Sequence, residues 1–550
     1  MLREVLVPRL EVAELEPVIG PERYRQLLTE AAVIRRQLGP RTIWNVNSTA
    51  VGGGVAEMLR VLVAYTAGMQ IAIRWLVIGG DPDFFAITKG LHNQIHGQIG
   101  STGPVRHDDA RHYEQVLAAN ADELLGQVRP GDIALLHDPQ TAGLAAPLAQ
   151  AGVHVVWRSH IGVDWQNDVT RAAWDFLRPY LVPAHGYVFS RRQYVPSWIP
   201  GGLTRIIPPS INPLSAKNQQ LDPGTVQAIL ATIGVLDGGL PAAPGRFTRQ
   251  DGTTADVALA AMVTGDGRPG PADPVVVQVS RWDRLKDMAG VMLGFAEHVV
   301  AGGDGFLILA GPEVSKVSDD PEGSLVFAEC LAQWQGLPAA TRARVLLVNL
   351  PVDDVEENAA AVNAIQRHAK VIVQKSRAEG FGLTVAEGMW KGRPVVGSAV
   401  GGILDQVIEG TGFLLPDPAD LATFGSRVRW LLDNQDAADR MGMAGQAHIR
   451  EHYLGDRHLL QYGDLFEAII GGLWRLRNCQ GQGGGAGAMP LSTVSASRAA
   501  RPAGVAAALP GGPSRTRGRI WPWIAPTTSA TAASTSVAWP MRPSRCSPCR

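Results

Sequence analysis

Glu379-Gly380-Phe381-Gly382-Leu383-Thr384-Val385-Ala386-Glu387 follows an apolar run at 371–373 and a polar turn, Lys375-Ser376-Arg377. The pattern predicts a strand, a bend on two glycines with Phe381 between them, and a helix opening near Leu383. Gly380 and Gly382 leave the backbone bare where a ligand must come close. The N–H groups of Leu383, Thr384 and Val385 then point out of a helix N-terminus, whose dipole favours an anion such as a diphosphate. Glu379 precedes the bend and Glu387 lies one helical turn inside, so two carboxylates flank a phosphate-sized hollow. Carboxylates accept hydrogen bonds from paired hydroxyls, which a sugar and a ribose both offer. The stretch reads as a cradle for a nucleotide-sugar. Gly-x-Gly alone would read better as an ordinary strand–loop–helix unit; the two glutamates, with an Arg/Lys pair upstream, set this one apart.

A second half of the site lies upstream. A strand at 275–279 runs into Ser280-Arg281-Trp282-Asp283-Arg284-Leu285-Lys286-Asp287, just before a helix. Arg281 and Lys286 would sit at the carboxyl end of that strand, facing the cradle. Two fixed cations beside a helix N-terminus can neutralise a leaving diphosphate without a metal. The charge on the diphosphate grows as its bond to the sugar breaks, so this is stabilisation of the transition state. One basic loop among many would carry no such meaning without the paired glutamates. Gly311-Pro312-Glu313, at the end of the next strand, offers the nucleotide another backbone wall.

Around these motifs the chain alternates strands and helices. In the first part, strands are predicted at 41–46, 73–78, 133–136, 153–157 and 187–190. Asn47-Ser48-Thr49-Ala50-Val51-Gly52-Gly53-Gly54 follows the first of them and leads into a helix, a sugar- or phosphate-approach loop without the residues of a nucleotide-triphosphate or dinucleotide motif. Asp81-Pro82-Asp83 could hold a divalent metal, but a Gly-rich turn with Pro between the carboxylates reads better as an exposed loop. His92-Asn93 and His96-Gly97 can bond sugar hydroxyls, and no third ligand makes them a metal site. His137, Asp138 and His160 fall beyond the carboxyl ends of strands, where open α/β sheets bind ligands. His160 is therefore expected to line the site. Ile206-Ile207-Pro208-Pro209-Ser210-Ile211 reads as an extended crossing between domains.

In the second part a helix is predicted at 226–233, then irregular surface over 238–273 with a helix near 255–262. Strands at 275–279, 306–310, 345–348, 371–373 and 394–397 alternate with helices at 289–300, 325–334 and 403–408. That rhythm means a second doubly wound parallel sheet. Two such domains leave a cleft suited to a two-part substrate. The chain reads as helical from 433 to about 477. Beyond 480 it is rich in Gly, Ala, Pro, Ser, Thr and Arg, and reads as a disordered tail.

At 550 residues the chain is long enough for two or three domains, and 45% apolar with 18% charged residues is a globular balance. The net charge of −1 hides an asymmetry: eight arginines and no acidic residue lie beyond 480, so the body is acidic. That argues against nucleic acid as the main partner. The four cysteines, at 330, 479, 546 and 549, form no disulfide framework or zinc set. No apolar run reaches membrane-spanning length, so a cytoplasmic protein is expected.

With these residues in view, the chain resembles the retaining glycosyltransferases of family 4, over roughly 41–477. The resemblance implies a GT-B fold of two Rossmann-like domains facing a cleft. It implies that Glu387 binds the nucleotide ribose, Glu379 the hydroxyls of the donor sugar, and Arg281 and Lys286 the diphosphate. It places His160 beside the transferred sugar, and Gly52, Gly53 and Gly54 near donor and acceptor. Asn45-Val46-Asn47-Ser48, the His92–Gly97 segment, Trp157-Arg158-Ser159-His160 and Pro208-Pro209-Ser210-Ile211 look like those members that are trehalose synthases. These move glucose from a nucleoside diphosphate glucose to free glucose, and the related retaining trehalose phosphorylases share much of the pattern.

The expected organisation is an N-terminal acceptor domain at 1–210 and a donor domain at 211–455. A helix at 456–480 returns to the first domain, and a low-complexity tail fills 481–550. Expected catalytic residues are His160, Arg281, Lys286 and Glu379. Donor binding is expected from Gly53, Gly54, Arg281, Lys286, Gly311, Glu379, Gly380, Phe381, Gly382, Leu383, Thr384 and Glu387. No metal ligand and no cofactor are expected, a stimulatory metal and a homodimer being left open. No carboxylate is obviously placed as a covalent nucleophile, so attack on the same face as the departing diphosphate is the expected route.

Overall fold

The computed structural model describes residues 2–50, 53–99, 103, 107–237, 244–300, 303, 305–314 and 321–471. The tail expected at 481–550 lies outside the described residues, as does Gly52.

The first sheet has seven strands: β1 (Arg3–Glu4), β2 (Ile43–Asn47), β3 (Ile73–Val77), β4 (Ile133–His137), β5 (His154–Ser159), β6 (Gly186–Phe189) and β7 (Thr204–Ile206). Their order is β1-β3-β2-β4-β5-β6-β7, all parallel except the antiparallel edge strand β1. Every residue of β2 and β4 is buried. Helices cover both faces, which is why these strands read as unbroken apolar runs rather than alternating ones.

The segment 244–264 departs from expectation. It forms a small hairpin, β8 (Arg246–Thr248) with β9 (Thr254–Asp256), and an edge strand, β10 (Met262–Thr264). The helix expected near 255–262 is absent. The amides of Ala258 and Leu259 instead donate to Glu357 Oε1, at 2.6 and 2.5 Å. A carboxylate from a helix about a hundred residues later thus satisfies two donors that a local helix would have used.

The second sheet continues with β11 (Val275–Val279), β12 (Phe306–Pro312), β13 (Val345–Leu350), β14 (Val371–Gln374), β15 (Val395–Ser398) and β16 (Gly412–Leu415). Its order is β10-β13-β12-β11-β14-β15-β16, parallel apart from β10. Val277 pairs with Ile308 on one side and Ile372 on the other, so β11 lies at the centre. Two helices the sequence reading did not mark, Val355–His368 and Leu421–Asp433, complete the layers.

Two stretches link the sheets. Ile211 bridges Leu454, and its amide donates to Tyr453 O at 2.9 Å. The expected continuous helix from 433 is accordingly broken into Gln435–His452 and Gly455–Ile470, with Leu454 between them extended and bridged to Ile211. Helix Gly455–Ile470 packs on helix Pro21–Leu38 of the first lobe, where Arg23 grips Asp456 with two bonds of 2.9 Å. Arg158, fully buried at the end of β5, donates to His458 Nε2 at 3.2 Å, to the Tyr462 hydroxyl and to Ile207 O at 3.1 Å. An arginine only donates, so Nε2 of His458 is bare and its Nδ1–H faces the Ser210 hydroxyl at 2.8 Å.

Candidate active site

Each sheet reverses strand order once, and ligands of doubly wound sheets bind beyond the carboxyl ends at such a switch. In the second sheet the switch lies between β11 and β14. The chain leaving β11 carries Arg281 to Lys286, and the chain leaving β14 carries Lys375 to Gly382. Topology therefore brings together two stretches almost a hundred residues apart. Lys286 Nζ lies 2.6 Å from Glu379 Oε2, with both side chains largely buried.

The turn bearing Lys286 is fixed from behind. Asp283 caps it, accepting from the Leu285 amide at 2.8 Å, and pairs with Arg281 at 3.0 Å. Gln278 donates to Lys286 O at 2.7 Å. The next residue, Asp287, is left-handed at φ 52 and receives both Lys375, wholly buried, and Arg377 at 2.9 Å. Two side chains of the β14 turn thus hold the β11 turn against it.

Helix Leu383–Trp390 opens at Gly382, whose φ of 87 suits glycine and whose lack of a side chain leaves the N-terminus uncapped. The Val385 amide, expected to point outward, instead donates to Gly382 O at 3.0 Å. No backbone carbonyl among the described residues accepts from the Leu383 and Thr384 amides. The Thr384 hydroxyl donates to Gln374 at 2.9 Å. Glu387 is buried; Oε1 faces Lys217 at 3.6 Å, and Oε2 has no hydrogen-bond partner among the described residues. A buried carboxylate oxygen left unpaired is costly unless something donates to it. Gly311 is placed differently from the others: a Cβ there would lie 2.7 Å from Trp282 Nε1, so its open side is filled by its own lobe.

The first lobe closes over this crevice. Gly53 opens helix Gly53–Gly68, and a Cβ on Gly54 would lie 2.7 Å from the Leu383 side chain. A Cβ on Gly380 would lie 3.1 Å from His160 O. His160 therefore meets the cradle through its backbone. Its imidazole turns inward, Nε2 lying 2.9 Å from His137 Nδ1, and His137 Nε2 is 3.2 Å from Asn45 Oδ1. Burial holds both rings neutral, His137 pushed down to about 3 and His160 well below the ordinary range. Asp138, at φ 63, accepts from the His160 amide at 2.7 Å, and burial pushes its carboxyl up to about 7. Asp81 is occupied as a helix cap, accepting from the Phe84 amide and facing His112, each at 2.8 Å.

Several contacts at the cleft had no signal in the sequence. Tyr194 donates to Gly380 O at 2.7 Å, and Asp164 accepts from the Gly401 amide at 2.8 Å. Arg191 joins Asp164 to Asp405 across the lobes. Lys217 bridges Glu57 of the first lobe, at 2.7 Å, to Glu387. Burial acts to lower the Lys217 ammonium, but Glu387 and Glu57 outweigh it and hold it above its ordinary range. His96 is buried beside Lys286 and Glu379; burial, then Lys286, pushes it down to about 4.

The family model for the trehalose synthase N-terminal domain matches residues 45–196, and that for glycosyl transferases group 1 matches 356–448. Trehalose synthase from Rubrobacter xylanophilus is 32% identical over 475 residues, which is 86% of this chain and 100% of that protein. The chain belongs to the trehalose synthase family of GT-B glycosyltransferases. A more distant relative, trehalose phosphorylase from Grifola frondosa, is 22% identical over 465 residues, 80% of this chain and 58% of that protein. The UDP-forming α,α-trehalose-phosphate synthase from Burkholderia xenovorans, solved with glucose-6-phosphate, shares the fold with a TM-score of 0.58. It is 13% identical, with 78% of this chain and 99% of that one covered. The two family matches fall one on each lobe and include His96, His160, Glu379 and Glu387; Arg281 and Lys286 lie between them. No helix among the described residues is long and apolar enough to cross a membrane.

Proposed function

We propose that this glycosyltransferase moves glucose from a nucleoside diphosphate glucose to free glucose, forming α,α-trehalose with retention at the anomeric carbon. The observation that carries the reading is the junction of Lys286, Glu379 and the uncapped helix N-terminus at the second sheet's switch point. The buried Oε2 of Glu387, without a hydrogen-bond partner among the described residues, supports it as the ribose acceptor one helical turn further in. In this reading the bond from glucose C1 to the diphosphate oxygen breaks, and Lys286, Arg281 and the Leu383 and Thr384 amides take up the growing negative charge. The acceptor hydroxyl attacks C1 from the same face and passes its proton to the departing phosphate oxygen. His160 lies beside the transferred sugar through its backbone carbonyl, its imidazole held by His137. No step is assigned to a metal, and full activity in EDTA is expected.

Incubation with UDP-, ADP- and GDP-glucose plus free glucose, followed by identification of the disaccharide, tests the proposal. An α,α-linked product with at least one donor supports it, and no disaccharide with any of them rejects it. The similarity to a trehalose phosphorylase favours a second reading, in which phosphate and trehalose give glucose 1-phosphate. Glucose 1-phosphate formed from trehalose and phosphate alone would establish that reading instead.

A further inference from the structure

Trp165 leaves 61% of its surface exposed, on the loop between β5 and helix Asp168–Leu181. The loop is anchored on both sides of the ring. Asp164 holds Arg191 and the Gly401 amide of the opposite lobe. Asn167 caps the helix, accepting from the Thr170 amide at 2.8 Å, and donates to Gly97 O at 3.0 Å. The edge of the indole rests over Gly97, where a Cβ would lie 3.2 Å from the ring and where φ is 79, so a side chain is disfavoured twice.

The residue before Gly97 is His96, 8% exposed, with no hydrogen-bond partner at Nδ1 among the described residues. Its Cε1 would lie 4.0 Å from a Cβ on Gly380, and Lys286 and Glu379 both act on its titration. The first lobe thus offers an exposed indole and, beside it, an imidazole nitrogen with no partner among the described residues, next to the Lys286–Glu379 pair of the second lobe. A pyranose has the matching chemistry: an apolar face of C–H groups that lies on an aromatic ring, and hydroxyls that bond polar groups at its edge.

We propose that Trp165 and His96 form the acceptor-sugar site, the ring of the acceptor lying against the indole and one of its hydroxyls bonded to Nδ1 of His96. The proposal rests on the transferase reading above and names the side of the cleft from which the acceptor reaches C1. Trp165 is exposed, so its replacement leaves the core packing intact.

The test uses the full chain. Trp165→Ala is expected to raise the acceptor KM about tenfold, the scale of one lost aromatic contact, while the donor KM moves less than about twofold. Trp165→Phe should recover most of the loss. His96→Ala should raise the acceptor KM by a comparable factor. An unchanged acceptor KM in Trp165→Ala, or an equal rise in both KM values, overturns the proposal. Saturation-transfer NMR with D-glucose and a nucleoside diphosphate separates this failure from failure of the transferase reading. Glucose signal in the wild type that is lost in Trp165→Ala supports the site even if no disaccharide forms. No signal in the wild type, or equal signal in both, counts against it.

Discussion

Lys286 and Glu387 make different demands on the donor, and their substitution separates the two. In the proposed reaction Lys286 faces the growing charge, so Lys286→Ala should lower kcat by about a hundredfold, as loss of one preorganised donor does. As the proposed ribose acceptor, Glu387 acts on the ground state, so Glu387→Gln should weaken donor binding about tenfold. Unchanged turnover in the first together with unchanged donor affinity in the second would contradict these roles. The neutral histidines set an acid limit. His96, His137, His160 and His458 all titrate below the ordinary value of 6.5 because they are buried. The unfolded chain therefore binds more protons between about pH 6.5 and 4, and the stability present above that window falls as pH drops through it. Asp138, raised to about 7, runs the other way, its contribution present below about pH 4 and lost toward 7. His92, His368 and His448 are lowered too, and Asp464 is raised like Asp138, so the histidines outnumber the carboxyls and the melting temperature at about pH 4.5 should be lower than at 6.5; thermal unfolding by circular dichroism would contradict this if the midpoint rose. At this scale Lys286, Glu379 and Glu387 were legible because local spacing fixes them to strand ends and a helix start. Lys217 was not, since what matters about it is its contact with Glu57 on the other lobe, and His96 was legible as a partner for sugar hydroxyls but not as a neighbour of Lys286 and Glu379.

Among the elements, the paired turns after β11 and β14 govern the site. Asp287 binds Lys375 and Arg377, and Lys375 also donates to Pro418 O at 2.8 Å. Lys375→Ala leaves Asp287 Oδ2 without its buried partner while Arg377 still holds Oδ1, so it should cost about 1–3 kcal/mol in urea unfolding. It should also lower turnover by releasing the Lys286 turn; stability equal to wild type would contradict the role given to this pair. Parallel strands covered on both faces are continuous apolar runs, which made β11 to β15 readable directly. The stretch 255–262 was misread because its alanines and leucine suit a helix, whereas Glu357, far along the chain, claims its amides. Tertiary hydrogen bonding overrode local propensity there.

The described residues form two seven-stranded sheets and a small hairpin, the two lobes drawn together by Arg191, Asp164, Asp405, Tyr194 and the Glu57–Lys217–Glu387 bridge. Asp405→Ala leaves Arg191 its second carboxylate and removes only the contact across the lobes. Hydrogen exchange over 400–406 should then quicken several-fold with a higher donor KM; exchange equal to wild type would show that this contact does not hold the lobes. The two-sheet architecture was legible from the βαβ rhythm, whereas the way the lobes meet depends on pairs hundreds of residues apart that no local pattern records. The central claim is that one diphosphate binds between Lys286 and the amides of Leu383 and Thr384, with the ribose at Glu387. A crystal structure of the complex with a nucleoside diphosphate tests it most directly. The account predicts phosphate oxygens within hydrogen-bond distance of Lys286 Nζ and those two amides, and a ribose hydroxyl donating to Glu387 Oε2; a nucleotide bound elsewhere, or turned so that its ribose misses Glu387, would contradict it.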